Sequence, residues 1–286
     1  QRSTEPEYPY YYNGHFDDYR GRYINSRLEQ AGNWTPKKVM ALQTDTYSLF
    51  AEEAVPVLLA CLDSADLSLP QREFLELFRQ WNYRFEAEAH MPIFFEEWYK
   101  RTYRYTFDEL YAATEYGHVL FPEKWRFLEL LVTHGEHGVF DLAETPVREN
   151  ADSIVSRAFE EAFGEWWKQL LSEEWTWSRY NNLEIRHLAR IDAFSSGLIT
   201  TGGYELAPNA VRADHGPSWR MIVDLGPELK AWGIYPGGPS GNPGSPFYDN
   251  QLNDWAEGRY HHLLYPVTFS DLAPQAQAFW QFKNEK

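Results

Sequence analysis

HGPSWRMIVDLGPELKAWGIYPGGPSGNPGSPFYDNQ, residues 215–251, is the stretch of sequence that decides the fold. Its first apolar run, 218–225, ends at the turn signal Gly226-Pro227, and a second apolar run follows at 231–235. Two short apolar runs joined by a tight turn predict a β-hairpin. The loop after the hairpin is rich in proline, which stiffens it, and in glycine, which allows backbone conformations closed to other residues. Such a loop is either a packed crossover or a wall of a site.

Two charged residues pose a choice between a structural and a functional role. Asp224 is a carboxylate in an otherwise apolar run, and such a group requires either an ion-pair partner or a functional role. An ion pair with Arg220 is its structural alternative, because residues four apart share one face of a strand. Arg20 follows a pair of aspartates, and an ion pair with Asp17 or another carboxylate is its structural alternative.

The first two-thirds of the sequence carries apolar residues at three- and four-residue steps, which is the pattern of amphipathic helices. One long helix is predicted from Thr35-Pro36, a cap followed by a first-turn proline, through Leu58, with a bend at Pro56. Further helices are predicted over 17–30, 68–81, 91–111, 122–133, 150–171, 252–257 and 272–279.

This order of elements predicts an α+β fold rather than an alternating α/β fold. The helical region covers residues 1–177. A strand and loop region covers 178–286, and we expect both regions to form one compact unit.

Composition argues against several classes of function. The formal net charge of -16 opposes binding to nucleic acids and to anionic membranes, and no apolar run reaches the ~18 residues that cross a bilayer. The single cysteine, Cys61, excludes an intrachain disulfide, and its apolar setting favours an inert thiol. His134 and His137 are flanked by glycines, which oppose the helix that a shared metal would need. Acidic pairs such as Glu96-Glu97 are assigned to solvated helix faces.

Several stretches resemble the penicillin amidase (penicillin acylase) family of N-terminal-nucleophile hydrolases. GPSWRMIVDL at 216–225 is similar to a family hairpin of the type G-x-S-[YW]-R-M-x-V-D-L. Residues 236–251 match the pattern P-G-G-x-S-G-x-P-x-S-P-x-Y-x-x-Q. DYRGRYI at 18–24 resembles the family's Y-R-x-R-x-I element, and MALQTD at 40–45 resembles its L-Q-x-D helix. Weaker similarity extends to 175–177, 187–188 and 208–210, and residues 64–174 are the least specific.

The resemblance implies a periplasmic or otherwise extracytoplasmic amidohydrolase that cleaves linear amides, such as penicillin or other N-acyl compounds. Family members cut themselves so that a Ser, Thr or Cys becomes the N-terminus of the large subunit. That residue attacks the amide, and its own α-amino group acts as the base. The family arginine that organises the surroundings of the nucleophile corresponds to Arg20. In relatives with a catalytic histidine, an acid in the hairpin orients it, and the shorter Asp224 occupies that place.

The sequence departs from the family pattern at its start. Gln1 cannot be the nucleophile, so the resemblance implies that the nucleophile, the oxyanion residues and any calcium ligands lie upstream of it. We therefore expect a C-terminal part of the large subunit, inactive by itself and without a cofactor. Its partners would be the upstream part of the same precursor and the small subunit.

The resemblance also implies that residues 178–286 complete the sheet of an αββα sandwich, in which two sheets lie between helical layers. Sheet surface left uncovered in a piece of that fold predicts self-association. The alternative to an amidohydrolase is an aromatic-rich, acidic helical module that binds a ligand or partner without catalysis.

Overall fold

A computed structural model of the chain describes residues 17–63, 65–170, 174–266 and 268–272. The α-helices are α1 (Tyr19–Gln30), α2 (Pro36–Gln43), α3 (Leu49–Ala60), α4 (Leu69–Phe78), α5 (Met91–Thr106), α6 (Asp108–Ala113), α7 (Lys124–Thr133), α8 (Ala151–Leu170), α9 (Trp177–Asn181), α10 (Leu252–Ala256) and α11 (Phe269–Leu272). The predicted helix over 272–279 falls largely outside the described residues. No helix within those ranges combines the length and the apolar character needed to cross a bilayer.

The described residues form two compact units. One consists of those in Gln1–Asn33 and Leu42–Gly216, and the other of those in Trp34–Ala41 and Pro217–Lys286. The predicted division of the chain at residue 177 stays a prediction.

The core of the first unit is built around α5, which packs against α8. Phe94 and Trp98 of α5 are fully buried, and their rings lie 5.7 and 5.2 Å from the ring of Phe159 in α8. The indole Nε1 of Trp98 donates a hydrogen bond to the carbonyl oxygen of Val155 at 3.0 Å, so its polar atom is satisfied inside the core. Each such ring buries roughly 150–250 Å², so the aromatic content of the sequence is used mainly for packing.

The prediction of a single long helix from Thr35 to Leu58 is wrong, because the helix is interrupted between α2 and α3. Ser48 has an extended backbone, and its Oγ accepts a hydrogen bond from the amide of Ala51 at 3.2 Å, which caps α3. The amide of Ser48 donates to the carbonyl of Tyr83 at 3.0 Å. A continuous helix would lose both bonds.

The hairpin of the second unit is confirmed. Strands β1 (Arg220–Asp224) and β2 (Lys230–Ile234) pair antiparallel, and β3 (His261–Leu263) pairs with the other side of β2. Gly238, in the following loop, is required by close packing, since a Cβ there would lie 2.1 Å from the carbonyl oxygen of Phe247. Helices followed by a small antiparallel sheet confirm the predicted α+β fold class.

The two faces of β1 differ in exposure. On one face, Arg220 and Ile222 are buried, and the guanidinium of Arg220 lies 4.9 Å from the ring of Trp255 and donates to its carbonyl oxygen at 2.7 Å. On the other face, apolar side chains of β1 and of the two residues that flank it are 40–83% exposed: Trp219, Met221, Val223 and Leu225. This second face is an exposed apolar surface within the second unit.

Candidate functional site

Arg20 lies in the first turn of α1 and is partly buried. Its Nε atom is buried and has no hydrogen-bond partner among the described residues. The local ion pair that the sequence suggested for Arg20 is made by Arg22 instead, whose Nε lies 2.8 Å from Asp18 Oδ1. Since unpaired buried donors are costly, Arg20 retains hydrogen-bonding capacity that α1 itself does not use.

Neighbouring residues of Arg20 anchor α1 to α3. The ring of Tyr19 is 4% exposed and packs edge-on against Phe50 at 5.1 Å. Arg22 Nη1 also lies 2.5 Å from Glu53 Oε1, but both side chains are about 40% exposed, at 43% and 39%. Exposed ion pairs contribute about 0–1 kcal/mol, so the buried aromatic contact is the stronger of these two anchors.

A third anchor is the carboxylate of Asp45, whose side chain is only 12% exposed. Its Oδ2 accepts from the hydroxyl of Tyr23 at 2.7 Å, and its Oδ1 accepts from Arg84 Nη1 at 2.6 Å and from the amide of Tyr47 at 3.0 Å. The pKa of Tyr23 is raised to about 12, mainly by burial and to a smaller extent by the hydrogen bond to Asp45. Burial alone would lower the pKa of Arg84, but the charge of Asp45 raises it on balance. Hydroxyl and guanidinium therefore stay protonated as donors.

The main chain of Asp45 joins a further segment to this cluster. Its carbonyl oxygen accepts from the amide of Asn209 at 2.9 Å, and the carbonyl of Asn209 accepts from the amide of Tyr204 at 3.1 Å. Gly203 has φ +121 and a Cβ there would lie 2.5 Å from Asn209 O, so only glycine fits. Three family-like stretches, 18–24, 40–45 and 208–210, thus meet at one residue, Asp45. Each stretch can be identified in the sequence by itself, but no local pattern marks Asp45 as the residue at which they meet.

A buried charge network lies elsewhere in the first unit, around Glu96. Its Oε2 accepts from the hydroxyl of Tyr204 at 3.0 Å, and its Oε1 lies 3.4 Å from Lys100 Nζ and 3.7 Å from Lys124 Nζ. Lys124 Nζ also lies 2.5 Å from Glu205 Oε1. Burial would raise the pKa of Glu96, but the two lysines lower it on balance, and the carboxylates raise the pKa of Lys124 against its own burial.

The assignment of Glu96 to a solvated helix face is wrong, since it is 5% exposed. The only sequence signal for its burial is its position between apolar residues that α5 buries. A cavity of about 450 Å³ opens beside the network. Its charged and phenolic lining consists of Glu96, Lys100, Tyr180, Tyr204, Glu205 and Arg212.

Asp224 is the last residue of β1 and is exposed. Its Oδ1 accepts from the amide of Gly226 in the hairpin turn at 3.3 Å. Within the described residues it forms no ion pair, so the structural alternative of a pair with Arg220 is not formed, and an exposed carboxylate needs no partner. Arg20 and Asp224 belong to different compact units, and neither unit by itself brings them together.

The remaining candidates have local roles. Burial raises the pKa of Cys61 to about 12, and its Sγ donates to the carbonyl of Val57 at 3.4 Å, as expected of an inert thiol. His134 and His137 are exposed. In the described parts of the sequence, no group of three His, Cys, Asp or Glu residues is arranged to hold a metal ion.

The fold is similar to that of a solved structure, the thermostable penicillin G acylase from Alcaligenes faecalis. The comparison has a TM-score of 0.59 at 13% identity and covers 100% of this chain and 56% of the other. At that identity it shows the fold alone, and it confirms the predicted fold class. The sequence model of the penicillin amidase family matches residues 1–268, so the chain belongs to the penicillin amidase family.

The relatives that the chain matches include proteins named acyl-homoserine lactone acylase QuiP. The protein of Pseudomonas syringae pv. syringae (strain B728a) is 29% identical over 140 residues, which are 43% of this chain and 17% of that protein. The protein of Pseudomonas fluorescens (strain Pf0-1) is 30% identical over 141 residues, 46% of this chain and 17% of that protein. The chain matches less than a fifth of the length of either relative.

Proposed function

We propose that this chain is part of an acylase that hydrolyses the linear amide of an N-acyl compound. The match of the penicillin amidase family to residues 1–268 carries the proposal. The contacts around α1 support it, because the helix is anchored on both sides of Arg20 while Arg20 Nε keeps no partner among the described residues. The names of the curated relatives make an N-acyl-homoserine lactone the first substrate to test, and penicillin G the second.

The attacking Ser, Thr or Cys belongs, in this proposal, to sequence upstream of Gln1, and its α-amino group is the base. Arg20 supplies a fixed positive charge close behind that centre, which favours the neutral amine and orients the attacking atom. Asp224, in the second unit, is the other supporting residue that the family resemblance implies, and its role would be that of a hydrogen-bond acceptor. Because neither residue can attack an amide, the 286-residue chain alone is inactive.

The parent protein is proposed to act in the periplasm or another extracytoplasmic compartment. Its small subunit and the upstream part of the large subunit complete the site. Any calcium ion would be held by upstream residues, and this chain needs no cofactor of its own.

The test is to express the complete gene with its upstream sequence and to measure amine release from an N-acyl-homoserine lactone and from penicillin G. We expect the full-length protein to hydrolyse at least one of them. Arg20→Ala should lower kcat about 100-fold, which is the usual loss when one preorganised electrostatic contact is removed. Arg27→Ala, an exposed arginine on the same helix, is the matched control and should leave kcat unchanged.

Two outcomes would overturn the proposal. A full-length protein that cleaves neither substrate would favour the non-catalytic binding module instead. Amide hydrolysis by the isolated 286-residue chain would contradict its proposed inactivity.

A further inference from the structure

We infer that Asp45 is a positioning residue for the proposed hydrolysis: it holds α1 in the orientation that Arg20 requires. This inference rests on the proposed function. Asp45 does not itself touch the reacting atoms in this scheme. It acts through Tyr23, three residues after Arg20 on the same helix.

The spacing of Arg20 and Tyr23 explains why this contact matters. Residues three apart are neighbours on a helix surface, so the Tyr23 hydroxyl fixes the face of α1 that also carries Arg20. The Arg22–Glu53 pair holds a different side of the helix and is about 40% exposed, at 43% and 39%. The 2.7 Å bond from Tyr23 to Asp45 is better shielded, because Asp45 is 12% exposed.

Asp45 is itself held rigidly, as a positioning group must be. Arg84 donates to Oδ1 in a charge-assisted bond at 2.6 Å, and the amide of Tyr47 donates to the same oxygen at 3.0 Å. The ring of Tyr47 also stacks on the ring of Tyr23 at 4.8 Å with an interplanar angle of 19°. The main-chain carbonyl of Asp45 accepts from Asn209 at 2.9 Å. Side chain and main chain of one residue thus tie α1 to three other segments.

The carboxylate of Asp45 satisfies all these donors as they stand. Tyr23, Arg84 and the amide of Tyr47 all donate to the side chain, so every contact needs an acceptor. Asparagine has nearly the same shape but presents an NH2 group in place of one oxygen. Asp45→Asn therefore either sets an NH2 group against Arg84 and the Tyr47 amide or forces the Tyr23 hydroxyl to change from donor to acceptor, and in both cases it leaves Arg84 without its neutralising charge.

The test uses the full-length protein with Asp45→Asn and Tyr23→Phe. Tyr105→Phe and Glu161→Gln are matched controls, because Tyr105 also donates its hydroxyl to a carboxylate, Glu161, but on α5 and α8. Hydrogen exchange of the α1 amides should be at least about tenfold faster in both Asp45→Asn and Tyr23→Phe. In the controls it should change by less than about twofold, and exchange in α5 should be unaffected by the α1 variants.

Kinetics then separate positioning from a merely structural role. We expect Asp45→Asn to lower kcat about tenfold with KM within about twofold, since a misplaced group impairs the reaction more than binding. Tyr23→Phe should also lower kcat while leaving KM nearly unchanged, but its effect on kcat should be smaller. If Asp45→Asn fails to fold, Tyr23→Phe decides, because it removes a single hydroxyl and keeps the stacked ring.

Each outcome has a defined meaning. Unchanged α1 exchange in both variants overturns the anchoring. Faster α1 exchange with unchanged kcat overturns the role in the reaction. A wild-type protein without amidase activity refutes the proposed function instead, and α1 exchange then decides the anchoring alone.

Discussion

Replacing Lys124 by methionine should destabilise the first unit by about 3 kcal/mol, because it breaks a largely buried ion pair. Lys124 Nζ lies 2.5 Å from Glu205 Oε1 and 3.7 Å from Glu96 Oε1, and it donates to the Tyr204 hydroxyl at 2.9 Å. Methionine keeps the apolar stem and removes only the ammonium group. Glu96, at 5% exposure, would then retain Tyr204 and the longer 3.4 Å contact to Lys100.

The magnitude follows from burial. Removing one partner of a fully buried pair costs about 3–5 kcal/mol, and the lower end applies because the Lys124 side chain is 29% exposed. In a unit of this size, 1 kcal/mol shifts the melting temperature by roughly 2–4 °C. Circular dichroism of the 286-residue chain should therefore show a decrease of about 6–12 °C.

Arg126→Met is the matched control, because Arg126 lies on the same helix, α7, and pairs with Glu129 at the same 2.5 Å distance. That pair is exposed, at 63% and 49%, so its loss should cost at most about 1 kcal/mol. Adding Glu96→Gln to Lys124→Met should restore part of the stability by removing the uncompensated charge. Equal melting temperatures for Lys124→Met and Arg126→Met would refute the reasoning that burial sets the cost.

Two further predictions concern acid stability and self-association. The lysines hold the pKa of Glu96 below its ordinary 4.5 against the effect of burial, so its contribution is complete above pH 4.5 and is lost as the pH falls through the lowered value. Urea unfolding of Glu96→Gln should thus lose less stability than wild type between pH 6 and pH 3, and an identical loss would contradict this. The predicted self-association should use the apolar face of β1, so Val223→Thr with Leu225→Ser should weaken it at least about fivefold in sedimentation. Glu228→Gln in the hairpin turn should not, and a strictly monomeric wild type would refute the association.

Local sequence patterns predicted most of the helices and the hairpin because each depends on neighbouring residues. The periodicity over 150–171 predicted α8, and the turn at Gly226-Pro227 predicted the joining of β1 and β2. The break between α2 and α3 escaped prediction for the opposite reason. The amide of Ser48 donates to the carbonyl oxygen of Tyr83 and not to a helical partner. No pattern within residues 35–58 indicates a contact with Tyr83.

The candidate site also depends on contacts between residues that are distant in the sequence, which local patterns do not predict. Adjacent carboxylates at 96 and 97 are usual on a solvated helix face, and the burial of Glu96 depends on Tyr204, 108 positions away in the sequence. Asp45 likewise has no special signal in the sequence, where it falls inside the predicted helix over residues 35–58. Its importance arises from Arg84, 39 positions on, and from Asn209, both of which only the fold brings to it.

In α1, the neighbours of Arg20 anchor the helix, and Arg20 itself is left for the proposed chemistry. Tyr19 packs on Phe50, Arg22 pairs with Glu53, and Tyr23 binds Asp45, so the helix is held without any described hydrogen bond from Arg20 Nε. Loss of activity on replacing Arg20 would therefore report the chemistry of the site, whereas loss on replacing Tyr23 would report the placement of the helix. Hydrogen exchange of the α1 amides distinguishes the two cases, because it should become faster when Tyr23 is replaced and stay unchanged when Arg20 is replaced. The role that the family resemblance gives to Arg20 can therefore be tested separately from the contacts that hold α1 in place.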